Sequence, residues 1–160
     1  MSSAHKERRR VSDYIEILME ANEEFAKACG SVASRHMEET EVRMGMMKLS
    51  EFSTEAMALL RPFTEKYGER ETDETHELRD TLLPSVRAGS FGVLRDLHSL
   101  YILASQIHIS LTIVMQASKE LRDRELLEAC MEMDEENKRQ QAWLLTQIEH
   151  RAPHTLVVPQ

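Results

Sequence analysis

The chain has 160 residues, 41% of them hydrophobic, with a formal charge of −8 and a pI near 5.4. That length supports one domain with a real core and no need of disulfides or a structural metal. The acidic balance argues against a nucleic-acid surface, which draws its affinity from clustered Lys and Arg, and few glycines and aromatics beside ten methionines disfavour a sheet protein.

In chain order, the basic group Lys6, Arg8, Arg9 and Arg10 reads as a solvated amino-terminal turn. A first helix is expected over 7–34, with Val11, Tyr14, Leu18, Ala21, Phe25, Ala28 and Val32 on one seam at alternating spacings of three and four. Asp13, Glu16 and Glu20 interrupt it too often for a signal-peptide core. The polar stretch 35–40, with His36, Glu38 and Glu39, reads as a solvated turn in which Thr40 caps the next helix.

The second helix is expected over 41–66, with the seam Val42, Met46, Leu49, Ser53, Ala56, Leu60 and Phe63. Pro62 should kink or fray its last turns, and Gly68 should stop it. A long charged crossover, 67–90, follows. It contains a short helix at about 73–83, and Ser90 is expected to cap the third helix.

The third helix, 91–119, carries the clearest pattern: Val93, Leu97, Leu100, Ala104, Ile107, Leu111, Val114, Ser118 and Leu121. Around that seam, residues 101–117 are almost free of charge, so this helix should be covered on more than one side. Ile102, Ile109 and Ile113 lie away from the seam and read as an interface. No stretch reads as long and apolar enough to span a membrane.

The fourth helix is expected over 124–150, and its seam, Leu127, Cys130, Asp134, Asn137, Gln141, Leu144 and Ile148, turns polar in the middle. Trp143 falls off that seam and should be covered by the tail or by another subunit. The tail, 151–160, reads as extended after Pro153, with His150 and His154 exposed on either side of it. Cys29 and Cys130 fall on apolar faces at different heights and read as buried free thiols, which together with the missing leader and membrane span makes the cytoplasm the expected compartment.

The fold class expected is therefore all-α: an up-down four-helix bundle with a long crossover between the second and third helices. This layout, over nearly the whole chain, resembles the ferritin-like four-helix bundle superfamily. The stretches 96–100, 104–109 and 143–158 also resemble small bacterial ferritin-like proteins of unassigned role. What the resemblance implies for chemistry is a di-iron site built from two Glu and two Glu-x-x-His pairs, and no Glu-x-x-His occurs on these helices.

Two readings of the inward polar residues stay open. Glu24, His108 and Asp134 could hold a metal, iron in particular, with Tyr101 as a neighbour; that reading makes the chain an atypical oxidase or iron-handling protein. Alternatively, Tyr101, His108, Asp134, Asn137 and Gln141 form a buried hydrogen-bond network that fixes helix register, or line a small-ligand cavity. No phosphate loop or nucleophile elbow is present, so no catalytic residue is assigned. The expected function is that of a structural, interaction or accessory protein acting as a homodimer or higher homo-oligomer, without nucleic-acid or membrane partners. A larger redox enzyme is the candidate accessory partner.

Overall fold

The computed structural model describes residues 3–68, 81–83 and 86–157, with side chains from Arg10 onward. The described residues form four long helices, α1 (Ser3–Arg35), α2 (Thr40–Tyr67), α3 (Gly89–Glu120) and α4 (Arg124–Leu156), and no strand. The short helix expected at 73–83 lies outside the described residues, apart from helical Thr81 and Leu82 and the bend at Leu83.

Helix α1 packs on α2 and α3, and α4 packs on α3 and α2. Contacts between helix ends give the directions. The end of α1 meets the start of α3 at Arg35 and Asp96, the start of α2 meets the end of α4 at Glu41 and Gln147, and the end of α2 meets the residue before α4 at Lys66 and Asp123. Each helix thus runs antiparallel to both of its neighbours, while α2 and α3, on a diagonal, run parallel. The chain leaves α2 at one end of the bundle and enters α3 at the other. Ser12 donates a hydrogen bond to the Gly68 carbonyl at the first end, and Arg35 donates one to the Leu83 carbonyl at the second. The visible ends of the connection are therefore both fastened to α1.

The α2 seam is buried at all seven expected positions. On α3 the expected seam is buried except Leu121, which is 37% exposed, and Asp96, Ser99, Leu103 and Ser110 are buried beside it. On α1 the structure corrects the seam: Ser12 and Ile15 are buried and Tyr14 is turned out. The hydroxyl of Ser12 has the Gly68 carbonyl to bond, so it can enter the core at little cost and the larger Tyr14 ring faces solvent. On α4 the buried set is Leu126, Cys130, Met133, Asn137, Gln140, Leu144 and Gln147. Asp134 and Gln141 stand beside the seam, half-buried.

The turns correct three further expectations. Thr40 and Ser90 are inside their helices, and Glu39 and Ala88 are the cap residues of α2 and α3, without a side-chain hydrogen bond. Pro62 lies inside α2, which continues to Tyr67 and stops, as expected, at Gly68, whose φ of 88° suits only glycine. Residues 151–156 of the expected tail are helical, not extended: α4 passes through Pro153 to Leu156, and the Val157 amide closes the last turn on the Pro153 carbonyl. Arg151 ties this end to α2 through Glu39 at 3.3 Å and Glu41 at 3.9 Å.

Between α3 and α4 the chain turns in three residues. The amide of Asp123 donates to the Ser118 carbonyl at 2.9 Å and that of Arg122 to the Lys119 carbonyl at 3.1 Å. These are the two bonds of a Schellman stop, and Arg122 occupies its left-handed position with φ of 56° where glycine is usual. Asp123 then opens α4, its Oδ1 accepting from the Leu126 amide at 3.1 Å.

Candidate functional site

The polar side chains within the bundle include two groups in its middle and one at each end. His108 on α3 and Asp134 on α4 face one another with Nδ1 and Oδ1 3.7 Å apart, an approach too long for a hydrogen bond. Lys138, one turn further along α4, reaches Asp134 Oδ2 at 3.0 Å, and this hydrogen bond holds the lysine ammonium above its ordinary value. The pair is not deeply buried, because the His108 side chain is 46% exposed. Glu24 lies on α1, which is diagonal to α4 and makes no packing contact with it. Among the described residues no group of three or more His, Cys, Asp or Glu side chains is placed to hold a metal ion.

The second group is a chain of amides in the core. Asn137 donates through Nδ2 to the Ala104 carbonyl at 3.1 Å and to Gln140 Oε1 at 3.2 Å, and Gln140 donates in turn to the Leu49 carbonyl and Ser53 Oγ, both at 3.0 Å. Two side chains from α4 thereby satisfy backbone and hydroxyl acceptors on both neighbouring helices. The residues of this core network differ from the set the sequence suggested. Asn137 belongs to it; Gln140 and Ser53 replace Asp134 and His108. Gln141 and Tyr101 form a separate, shallower path in which Gln141 reaches Ser105 Oγ at 3.4 Å and Ser105 donates to the Tyr101 carbonyl at 2.9 Å.

The third group lies at the end of the bundle where α1 stops and α3 begins. Asp96 is fully buried, and its carboxylate meets His36 Nε2 at 2.7 Å, Arg87 Nη1 at 3.2 Å and Arg35 Nη1 at 3.5 Å. The same guanidinium groups bond the carbonyls of Leu82 and Leu83, and Ser99 also donates to Leu82. His36 is therefore not in a solvated turn, as its acidic neighbours implied, but is a buried partner of a buried carboxylate. Three cationic or titratable partners around one acid offset a desolvation that would be prohibitive for the acid alone. The sequence signal was present: Asp96, Ser99, Leu103 and Ser110 follow three-four spacing on α3, a second buried line beside the apolar one.

At the opposite end, Asp123 accepts hydrogen bonds from Lys66 at 2.8 Å and Tyr67 at 2.5 Å as well as from the Leu126 amide. Burial works against its charged form, but the bonds from Lys66, Tyr67 and Leu126 and the lysine charge outweigh it, so its pKa lies below the ordinary value. A depression of about 460 Å³ beside it is lined by Lys66, Arg122 and Arg124. Cys29 and Cys130 are buried and free. Burial pushes both thiols up, Cys130 to about 12 with help from the Asp123 charge, so neither is a ready nucleophile.

The last feature is the outer face of α3. Ile102, Ile109 and Ile113 are 39%, 61% and 37% exposed on one side of the helix. With the buried seam opposite, these isoleucines give α3 a second apolar face. By length and composition alone it is long and apolar enough to cross a membrane, which corrects the expectation that no stretch is, although only 39% of its most apolar window is buried within the bundle. Trp143, expected under the tail or another subunit, is instead covered by α2, its indole lying against the backbone at Gly45. No protein-family model, curated protein or solved structure matches the chain.

Proposed function

We propose that this chain is a ferritin-like bundle that acts as an interaction or accessory protein and assembles with itself through the outer face of α3. One observation carries the reading: Ile102, Ile109 and Ile113 stand in water on a helix whose opposite face is packed against α1 and α4. A helix apolar on two opposite faces has a second face to cover, and a two-fold axis beside α3 lays this stripe against its own copy. The two buried, unbridged thiols fit a reducing compartment. The ferritin-like likeness rests on four long helices and on a connection that joins opposite ends of the parallel pair.

A mid-bundle iron site is the alternative, supported by the approach of His108 to Asp134. The amino group of Lys138 on the same carboxylate weighs against it, since a bound cation has to displace that ammonium. The test of the main reading is the double substitution Ile102→Asp with Ile109→Asp. Both sites are on the surface, so the bundle stays folded and its elution mass falls to that of a monomer. A folded variant with an unchanged mass removes this interface.

A further inference from the structure

We propose that His150 and His154 form a two-point binding site for a divalent late transition ion, of which Cu(II) is the type. In an extended tail the two side chains would have no fixed relation. Because α4 continues through Pro153 to Leu156, residues 150 and 154 lie one turn apart on the same helix face. Their ring centroids are 6.0 Å apart with the planes at 62°, and both residues are exposed. From there, small rotations of the rings bring one nitrogen of each to a shared ion.

Two histidines at this spacing on one helical face are the arrangement by which a metalloprotease helix supplies two ligands to zinc. Here the residues between them, Arg151, Ala152 and Pro153, include no carboxylate. The pair can bind, without the carboxylate that such a protease helix places between its two ligands. Imidazole nitrogen suits copper, nickel and zinc, and water fills the remaining positions.

The turn is also held in place. Arg151 bonds Gln147 Oε1 at 3.3 Å through Nε and Glu39 Oε2 at 3.3 Å through Nη1, fastening the end of α4 to the start of α2. The two donors therefore stand on a backbone already ordered before any ion arrives, which lowers the entropic cost of binding. This site is on a different face and a different helix from the α3 stripe, and neither depends on the other.

The experiment is a Cu(II) titration followed by the fluorescence of Trp143, the chain's only tryptophan. Trp143 lies seven residues, hence about 10 Å along the axis, before His150 on the same side of α4. Saturable quenching with one ion per chain is expected. His150→Gln and His154→Gln should each weaken it by about a hundredfold, the low end of the gain from tethering two weak ligands, while His98→Gln, at an exposed site on α3, leaves it unchanged. Quenching that survives both the His150 and the His154 substitution places the ion elsewhere and overturns the assignment, as does a wild-type chain that shows no saturable quenching.

Discussion

His36 Nε2 and Asp96 Oδ2 meet at 2.7 Å inside the bundle, joining the turn after α1 to the second turn of α3. With Arg35 and Arg87 on the same carboxylate, this contact ties Leu82, Leu83 and Arg87, the end of the crossover, to both helices. Asp96→Ala leaves two guanidinium groups and an imidazole facing each other without their acid. It should cost about 3 kcal/mol, as removing one partner of a buried ion pair does. Hydrogen exchange should accelerate first at residues 81–83 and 86–88; uniform acceleration over all four helices would show that Asp96 does not act locally.

Asp123 gives the molecule a pH dependence with a definite sign. Its folded pKa lies below the ordinary aspartate value of 3.8, so the stability it contributes is fully present above about pH 4 and is lost as pH falls through the folded value. Asp123→Asn keeps a good cap residue but loses the charge that faces Lys66 and Tyr67. The wild type should be more stable than the variant by about 1 kcal/mol near neutrality. The gap should close on acidification below about pH 4, and chemical denaturation at a series of pH values reads it directly.

Arg122 pays a conformational penalty at its left-handed position, with φ of 56°. A non-glycine residue there costs about 1–2 kcal/mol, of which glycine gives back about 0.5–1 kcal/mol by loosening the unfolded chain. Arg122→Gly should therefore raise stability by about 0.5 kcal/mol. A fall in the denaturation midpoint would mean that the arginine side chain makes a compensating contact.

Gly45 is the reverse case. Alanine is the better helix former by about 1 kcal/mol, yet a Cβ at this position would stand 2.1 Å from the Trp143 ring. Gly45→Ala should lower stability by about 1–3 kcal/mol, the usual range for an overfilled contact. It should also shift Trp143 emission to the red as the indole is displaced. An unchanged spectrum with a raised melting temperature would contradict the packing described.

Where burial follows apolarity, the sequence is easily read. Val42, Met46, Leu49, Ala56, Leu60 and Phe63 define the α2 seam, and even Ser53 is carried into it by spacing alone. It becomes hard to read where polar groups are buried because something satisfies them. Gln140 and Gln147 look like surface residues, yet the first bonds the Leu49 carbonyl and Ser53 and the second bonds Glu41, so the α4 seam runs through them and Asp134 moves to its flank. Ser12 displaces Tyr14 for the same reason. Asp96 finds partners at positions 35, 36 and 87, far apart in sequence, and no local pattern joins them. Pro153 looks like a stop, but it sits in an exposed last turn that needs little backbone bonding, and Arg151 anchors that turn to α2.

The most direct test of the proposed self-assembly is the mass of the unmodified chain in solution, by light scattering or sedimentation over a range of micromolar concentrations. An outer face of α3 buried between copies predicts a species of at least twice the 18.5 kDa chain mass. A species of single-chain mass throughout that range would contradict it and leave Ile102, Ile109 and Ile113 as a surface for a different partner.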